Sequence, residues 1–300
     1  MARKGPAGPG GLIVVDKPAG MTSHDVVGAI RRIAGTRRVG HAGTLDPMAT
    51  GVLVVGVERA TRLLNHLVLT DKSYAATIRL GAATSTDDAQ GEPLVQRDAS
   101  QVTAAAIRAS MVELTGEILQ RPSAVSAIKV AGQRAYDRVR AGEDVQLAPR
   151  PVTVSRFELL AEPEYLDKYC DVSVEVDCSS GTYVRALARD LGELLQVGGH
   201  LTALRRTRVG PFGLDQALTL AQLGELSDPV ALPLPLAIAA AMPTRQLSEP
   251  EARELSFGRP IAAAGITGTY GGISRAGQAV ALLAEAGGQA RPVLGFTPAG

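Results

Sequence analysis

The chain has 300 residues, of which 45% are hydrophobic and 20% are charged, a composition typical of globular proteins. This length is enough to bury a full hydrophobic core and leaves room for one large domain and one small domain. Apolar runs stay far below the roughly 20 residues that a membrane-spanning helix needs. Residues 12–15 are too short a run for the core of a signal peptide. We therefore expect a cytoplasmic protein without a membrane partner.

The charges are unevenly distributed along the chain, although the net charge is only +1. Lys and Arg outnumber Asp and Glu by 9 to 4 in residues 1–62 and by 7 to 3 in residues 121–156. Residues 63–120 have 4 basic and 7 acidic side chains. Basic blocks of this kind are either solvated faces or surfaces for an acidic partner.

The two cysteines, Cys170 and Cys178, lie in a stretch that alternates like a strand. Neither has the neighbouring cysteine or histidine that a zinc site requires. The pattern predicts reduced cysteines that pack in the core.

The N-terminal elements can be predicted in chain order. Residues 1–10 contain too little apolar surface to fold and are predicted to be a disordered leader, and a short strand follows at residues 12–15. Ser23 is the predicted cap of a helix that ends at Gly35, because apolar side chains recur at helical spacing between them. Residues 52–57 are continuously apolar, which is typical of a strand buried on both faces.

Downstream, alternating patterns predict strands at residues 74–80, 152–159 and 169–176. One predicted helix runs from a Ser100 cap to Leu114, and another runs from a Thr182 cap to about Leu195. These elements do not repeat as regular βαβ units. The predicted fold class is therefore α+β, or mixed α/β, rather than a doubly wound sheet.

The C-terminal part begins after residues 228–243, which are rich in Pro and Ala and predict a linker. Residues 244–300 contain turn glycines and short apolar runs. This pattern predicts a small β-rich appendage.

Residues 40–51 stand out because three glycines and one proline surround His41, Thr44 and Asp46 directly before the predicted buried strand. Loops held by a rigid strand often present reactive groups. Aspartate before proline is equally typical of an ordinary turn. The Lys-Ser or Lys-Thr pair of a phosphate-binding loop is absent after the last glycine. The segment alone leaves a turn and a reactive carboxylate both open.

Two other segments place aromatic and charged residues at the ends of predicted strands. In the first, a strand ends at Cys178, turns through Gly181 and enters a helix whose first turn contains Tyr183 and Arg185. In the second, Tyr74 lies at the start of a strand. Each of these side chains is, by itself, also consistent with packing or with an ordinary surface position.

Taken together, these segments resemble the TruB family of tRNA pseudouridine 55 synthases. The resemblance extends over about residues 11–215. The blocks that carry it, in chain order, are DKPAGMTS at residues 16–23, GHAGTLDPMATG at 40–51, KSY at 72–74, LG with TSTD within 80–87, GTYVR at 181–185 and LRRT at 204–207. Six short blocks in the right order make the resemblance specific.

The resemblance implies a pseudouridine synthase fold in residues 11–240, with a central mixed, largely antiparallel sheet flanked by helices. It also implies a small β-rich, PUA-like domain, divergent or truncated, in residues 244–300. The resemblance also implies the site residues, each matched to a family motif. Asp46 is implied as the catalytic aspartate and Arg185 as the arginine that pairs with it. Tyr74 is implied as the tyrosine that stacks on the target base, Tyr183 as a pocket residue and Leu204 as an apolar wall of the pocket, and His41 as the histidine that fills the gap left by the extruded base.

The implied substrate is uridine 55 in the T loop of tRNA, which makes the T arm of tRNA the expected partner of a monomeric enzyme. Isomerisation of a uridine involves no redox step and no phosphate transfer. We therefore expect no cofactor and no metal. The candidate phosphate contacts are the basic residues Arg31, Arg32, Arg37, Arg38, Arg134, Arg138 and Arg140, and they imply an affinity that falls with salt.

Two other interpretations stay open from the sequence. The first is a non-catalytic protein on the same scaffold that binds or folds tRNA. The second is a glycoside hydrolase, which would need a second carboxylate near Asp46 that the motif loops do not offer.

Overall fold

The structure of the chain is a computed structural model that describes residues 10–68, 70–123, 129–130, 133–134 and 147–297. Residues 1–9 of the predicted leader lie outside the described residues. The chain divides into two compact units. The first unit comprises Met1–Pro47, Gly51–Val68 and Gly210–Gly300, and the second comprises Met48–Thr50 and Leu69–Val209.

The described residues form strands throughout both units. In chain order they are β1 (Gly11–Lys17), β2 (Val39–Ala42), β3 (Thr50–Val57), β4 (Lys72–Leu80), β5 (Ala82–Thr84), β6 (Pro93–Gln96), β7 (Gly116–Gln120), β8 (Lys129–Val130), β9 (Gln133–Arg134), β10 (Arg150–Leu159), β11 (Glu164–Leu166), β12 (Tyr169–Cys178), β13 (Gly199–Val209), β14 (Phe212–Gly213), β15 (Leu232–Pro233), β16 (Thr244–Leu247), β17 (Ile261–Ala262), β18 (Tyr270–Ser274), β19 (Ala279–Ala286) and β20 (Gln289–Gly295).

Helices are interposed between these strands. The α-helices are α1 (Ser23–Ile33), α2 (Leu64–Leu67), α3 (Ala104–Glu113), α4 (Val184–Leu194), α5 (Leu220–Glu225), α6 (Leu234–Ala241) and α7 (Glu249–Ser256), and short 3-10 helices cover Glu58–Arg62 and Leu214–Gln216. Within the described residues, none of these helices is long and apolar enough to cross a membrane.

In the first unit, β1 and β3 pair antiparallel from Gly11 opposite Val57 to Lys17 opposite Gly51. β2 also pairs antiparallel with β3, and β15 pairs with β1. From Gly51 to the end of β3 every residue is buried, as expected of a strand covered on both faces. The core that joins these strands to α1 and α5 consists of Ile13, Val15, Val26, Val27, Ile30, Val39, Leu53, Val55, Val57 and Leu223.

Helix α1 confirms the predicted helix but not its predicted cap. The cap is Thr22, whose hydroxyl accepts a hydrogen bond from the Asp25 amide, while the Asp25 carboxylate accepts one from the Thr22 amide. This reciprocal arrangement satisfies two amides that the first turn of a helix leaves without intrahelical partners. Ser23 is instead a buried residue inside the helix.

In the second unit, neighbouring strands follow the order β13-β4-β12-β10-β7, and each of these four pairs is antiparallel. Helix α4 packs closely against the start of β13. A Cβ atom at Gly192 would lie 2.1 Å from the amide nitrogen of Gly199, so only glycine permits this approach. The mixture of antiparallel strands and interposed helices confirms the predicted α+β class.

Two other predicted helix starts are wrong for local chemical reasons. Helix α3 begins at Ala104 because the Thr103 hydroxyl accepts from the Ala106 amide, whereas the Ser100 amide donates to the Asp98 carboxylate in a preceding turn. Helix α4 is preceded by Tyr183 rather than by a Thr182 cap. The predicted boundaries therefore differ from the observed ones by one to four residues.

The predicted linker at residues 228–243 is wrong because this stretch is structured. It forms β15 and α6, and Leu234, Ala237 and Ile238 of α6 are buried. A stretch rich in Pro and Ala therefore packs here as an edge strand and a helix rather than connecting two domains freely.

The last part of the chain confirms the predicted β-rich appendage. Its strands follow the order β16-β18-β19-β20-β17, with β16 and β18 parallel and the other pairs antiparallel. Helix α7 packs on this sheet, and the small core consists of Leu247, Leu255, Ile261, Tyr270, Val280, Ala281, Leu283 and Ala290.

Both cysteines are free and buried on β12, as predicted. Burial raises the pKa of the Cys178 thiol to about 11, and burial also raises the pKa of Cys170. At pH 8 only about one Cys178 side chain in a thousand is then a thiolate, the form that reacts with alkylating agents.

We expect iodoacetamide at pH 8 to leave both cysteines of the folded chain unmodified during the time in which the urea-unfolded chain is fully alkylated. Mass spectrometry of tryptic peptides measures the extent at each cysteine. Rapid alkylation of Cys178 in the folded chain would contradict both its burial and its raised pKa.

Candidate active site

Asp46 lies in the loop that connects β2 with β3. Its side chain is half-buried, between the buried Leu45 and the exposed Pro47. The loop turns at Gly43, whose φ of +72° is a left-handed conformation that glycine adopts without steric cost. The carboxylate is thus presented from a turn, which the sequence pattern also indicated.

The backbone is fixed on both sides of Asp46. The Ser23 hydroxyl on α1 bonds to Leu45 twice, accepting from its amide at 2.9 Å and donating to its carbonyl at 3.0 Å. The Pro47 carbonyl accepts from the Gly20 amide at 2.8 Å and from Lys17 Nζ at 3.2 Å. Asp46 therefore projects from a backbone that α1 and the end of β1 hold in place.

Lys17 is fully buried at the end of β1. Besides Pro47, its ammonium group donates to the carbonyls of Pro18 at 2.9 Å and Met21 at 2.7 Å. The block at residues 16–23 therefore supports the Asp46 loop, a role that the sequence interpretation did not assign. The available signal was a lysine between an apolar strand and a proline, where a solvated lysine is not expected.

His41 lies on β2, where it pairs with Val55 of β3. Its side chain is half-buried. The structure therefore places His41 and Asp46 in the same unit, on a strand and on the loop that leaves it.

In the second unit, Tyr74 and Leu204 lie on neighbouring strands. Tyr74 on β4 is opposite Arg206 of β13, and Leu204 of β13 is opposite Ala76 of β4. Paired residues share a face of an antiparallel sheet, and alternate residues along a strand do too, so Tyr74 and Leu204 occupy one face. Both are buried, with 7% and 6% of their surface exposed.

The start of β4 concentrates positive charge beside Tyr74. Arg206 is almost fully buried opposite the tyrosine, and Lys72 lies two residues before it on the same strand. Burial, and secondarily the charge of Arg206, lowers the pKa of Lys72 to about 8. The Lys72 ammonium donates to the Thr70 carbonyl at 2.7 Å.

Tyr183 and Arg185 occupy the N-terminal end of α4, as predicted. The Gln120 side chain holds the Tyr183 backbone from both sides, accepting from its amide at 2.8 Å and donating to its carbonyl at 3.1 Å. Arg185 is 4% exposed. Its Nη1 donates to the Thr86 carbonyl at 2.9 Å and lies 3.6 Å from the Asp88 carboxylate.

The TSTD block at residues 84–87 and the following Asp88 form the loop that contacts Arg185. The sequence interpretation gave this loop no role. Asp88 Oδ1 accepts from the Thr86 hydroxyl at 2.6 Å and from the Gln90 amide at 3.0 Å. Thr84 and Asp88 are both buried. Asp88 escaped the sequence interpretation because a polar turn of this composition looks like an ordinary solvated loop.

The described residues contain no group of three or more histidine, cysteine or carboxylate side chains that could hold a metal ion. The first unit, taken by itself, presents the Asp46 carboxylate on a fixed loop. The second unit, taken by itself, holds a buried arginine, Arg185, and two tyrosines, Tyr74 and Tyr183, on fixed elements. A carboxylate presented on a fixed loop can act as an acid, a base or a nucleophile.

Family models match nearly the whole chain. The model of the TruB family pseudouridylate synthase N-terminal domain matches residues 31–184, more than half of the sequence. The chain belongs to the TruB family. The models of the tRNA pseudouridylate synthase B C-terminal domain and of the tRNA pseudouridine synthase II C-terminal region match residues 185–229 and 242–297.

Relatives and solved structures agree with this membership. The tRNA pseudouridine synthase B of an Arthrobacter species is 60% identical over 298 residues, covering 96% of this chain and 97% of the relative. The tRNA pseudouridine synthase B of Mycobacteroides abscessus is 56% identical and covers 96% and 97%. A chain in the structure of an H/ACA RNP bound to a substrate RNA containing 2'-deoxyuridine has a TM-score of 0.72 and 27% identity, with 96% and 86% covered.

These comparisons confirm the predicted fold class and the predicted enzyme class, an isomerase that makes pseudouridine in tRNA. They also argue against the glycoside hydrolase interpretation, because the matching family and the relatives are pseudouridine synthases by name. The site residues remain predictions at this point.

Replacing Ser23 with alanine is expected to loosen the loop of Asp46. The change removes both hydrogen bonds to Leu45 and leaves two buried backbone groups unsatisfied, at a cost of about 1–3 kcal/mol in the free energy of unfolding. Hydrogen exchange of a peptide that spans residues 43–49, read by mass spectrometry, is expected to accelerate.

Thr22→Ala is the matched control for this change. It removes the cap of the same helix, at about 1 kcal/mol, but leaves the hydrogen bonds of Ser23 intact. Equal exchange of the loop peptide in the two variants would show that Ser23 does not hold the loop.

Proposed function

We propose that the chain isomerises uridine 55 in the T loop of tRNA to pseudouridine, with the base flipped out of the RNA and Asp46 as the single catalytic carboxylate. The observation that carries the proposal is the loop of Asp46, whose backbone is fixed on both sides by Ser23, Gly20 and Lys17. Chemistry by one side chain requires such preorganisation. Family membership and relatives named tRNA pseudouridine synthase B support the substrate class.

The reaction breaks the bond between N1 of uracil and C1' of the ribose, rotates the freed base and joins C5 to the same sugar carbon. One proton leaves C5 and one is gained at N1, so atoms balance without a second substrate. An ionised carboxylate can attack the sugar or the base, or remove a sugar proton. Each of these routes begins from a charged Asp46.

In this proposal Arg185 supplies the positive charge beside Asp46. A guanidinium attracts a carboxylate electrostatically and can offer it two parallel N–H donors. The resemblance assigns this pairing to Arg185. The burial of Arg185 and its hydrogen bond to Thr86 support the assignment, because its guanidinium is held by the protein instead of moving freely in solvent.

The flipped base would contact the remaining predicted residues. Tyr74 would stack on it, Leu204 would form an apolar wall, and Tyr183 would line the pocket. The shared sheet face of Tyr74 and Leu204 supports their acting together. Because Tyr74 is buried, a base that stacks on it does so inside the protein and not on its outer surface. His41 would fill the gap in the RNA.

Binding of the T arm is proposed to depend on phosphate contacts of the first basic block. Arg31 and Arg32 lie in the last turn of α1, and Arg37 and Arg38 are exposed after it. In the second block, Arg138 and Arg140 lie outside the described residues, and only the backbone of Arg134 is described. A tRNA substrate is consistent with the proposed cytoplasmic location, and we propose a monomer with a catalytic part at residues 11–240 and a PUA-like part at 244–300.

Asp46→Asn is expected to abolish pseudouridine formation while the affinity for tRNA stays within about twofold, because asparagine keeps the shape but cannot ionise. Product is measured by chemical labelling of pseudouridine in an unmodified tRNA transcript under single-turnover conditions, and affinity by filter binding. Asp98→Asn, in an exposed loop, is the matched control and is expected to retain full activity. Substantial turnover by Asp46→Asn would sink the assignment.

Tyr74→Leu is expected to lose far more activity than Tyr74→Phe. Stacking of a base on an aromatic ring contributes roughly 1–3 kcal/mol, which corresponds to roughly 5- to 150-fold in rate. Phenylalanine keeps the ring, and leucine removes it. The single-turnover rate constant on the same transcript measures both, and equal losses would indicate that the hydroxyl group, not the ring, is needed.

A further inference from the structure

Arg185 is held by a short loop that reverses direction at Asp87. Asp87 has φ of +59°, a left-handed conformation that is uncommon for any residue with a side chain. The residues on either side of it contact the same nitrogen of Arg185, Thr86 through its carbonyl and Asp88 through its carboxylate. The conformation of Asp87 therefore determines whether both contacts to Arg185 can form.

The loop is also tied to strand β13. The Leu201 amide donates to the Asp87 carbonyl at 3.0 Å, and the Ala89 amide donates to the Leu201 carbonyl at 2.8 Å. These two hydrogen bonds fix the position of the loop backbone relative to strand β13. They leave the side chain of Asp87 available to other partners.

That side chain is bound by a second arginine on α4. Arg189 lies one helical turn after Arg185, so the two side chains leave the same face of the helix. Arg189 Nη1 donates to the Asp87 carboxylate at 3.2 Å, and the two side chains are only 13% and 12% exposed. Two arginines of one helix face thus hold three consecutive residues of one loop.

Arg189 is itself held at its other nitrogens. Its Nη2 donates to the Arg121 carbonyl at 2.7 Å, and Nε and Nη2 both donate to Asp190 Oδ1, at 2.9 and 2.7 Å. A guanidinium bound at this many points has little freedom to leave Asp87. The ion pair therefore connects the strained loop to a rigid part of the second unit.

We propose that Asp87 and Arg189 are a positioning pair for the isomerisation. Their ion pair maintains the left-handed Asp87, and through it the Thr86 carbonyl and the Asp88 carboxylate that orient the Arg185 guanidinium. Neither residue contacts the reacting uridine in this proposal. The inference deepens the proposed function, on which it rests, because it takes Arg185 as the partner of Asp46.

Three variants of the full-length chain test the pair. Asp87→Asn removes the charge but keeps a residue type that tolerates the left-handed conformation. Arg189→Met removes the charge and keeps an unbranched side chain, and Arg189→Lys keeps the charge. Arg108→Met is the control, because it breaks an exposed ion pair with Glu162 elsewhere in the same unit.

The expected result is a loss of roughly 10- to 100-fold in the single-turnover rate for Asp87→Asn and Arg189→Met, with tRNA affinity unchanged, since misplacing a group in the site by about 1 Å can cost about 100-fold. The double variant is expected to be no slower than the slower single variant, because both remove one interaction. Arg189→Lys is expected to recover part of the rate, and Arg108→Met to match the parent chain.

A crystal structure of Arg189→Met provides a readout that does not depend on activity. We expect the Arg185 hydrogen bond to the Thr86 carbonyl, 2.9 Å in the parent, to be lost or lengthened. Rates within twofold of the parent, strictly additive losses in the double variant, or a slow variant with Arg185 unmoved would each overturn the positioning pair. If the parent chain forms no pseudouridine, the proposed function is wrong. The position of Arg185 in the Arg189→Met structure then still tests whether the pair of Asp87 and Arg189 orients Arg185.

Discussion

The geometry around Asp46 depends on one buried positive charge. Lys17 has no exposed surface, and an ammonium group transferred out of water must have its donors satisfied. An ammonium has three N–H groups, and the carbonyls of Pro18, Met21 and Pro47 accept from it. Because these carbonyls come from the turn after β1 and from the loop of Asp46, the charge joins two segments that are 30 residues apart. Ser23 adds the same kind of connection from α1 through the backbone of Leu45.

The second unit follows a similar principle with different residues. Backbone groups again take part in holding the proposed functional residues: Arg185 donates to the Thr86 carbonyl, Arg189 donates to the Arg121 carbonyl, and the Gln120 side chain bonds to the backbone of Tyr183. Backbone partners are fixed by the fold and have no rotamers of their own. Side chains held in this way lose little conformational entropy when a substrate binds. Such a site orients its substrate with groups that are already in place rather than by rearranging around it.

Sequence patterns predicted the parts of this structure in which local pattern and burial agree. The apolar run that became β3 and the helical spacing of Val26, Val27 and Ile30 in α1 are examples, because burial on one or both faces leaves a periodic signature. The cap of α1 was missed by one residue because Thr22 and Ser23 are both good caps, and only the position of Asp25 favours Thr22.

The misses at Lys17, Asp88 and residues 228–243 have a common physical origin, which is pairing with residues that are distant along the chain. Asp88 and Lys17 look like ordinary polar residues in the sequence, and their importance comes from partners that are distant along the chain. Residues 228–243 were taken for a linker because Pro and Ala punctuate them, yet Gly11 and Leu12 supply an open strand edge with which they pair. Secondary-structure propensity depends on the local sequence, so it cannot detect a pairing partner that lies far away along the chain.

The small net charge of the chain, +1, is compatible with an RNA substrate because many of the charges neutralise one another within the protein. In the second unit Arg79 pairs with Asp171 at 2.6 Å, Arg156 with Glu175 at 2.8 Å and Arg208 with Asp177 at 3.5 Å. Such pairs cancel in the total and present little field to a distant phosphate. Arg32, Arg37 and Arg38 are close in sequence and exposed. The affinity for a polyanion depends on local clusters of positive charge such as this one. The net charge of the whole chain therefore understates that affinity.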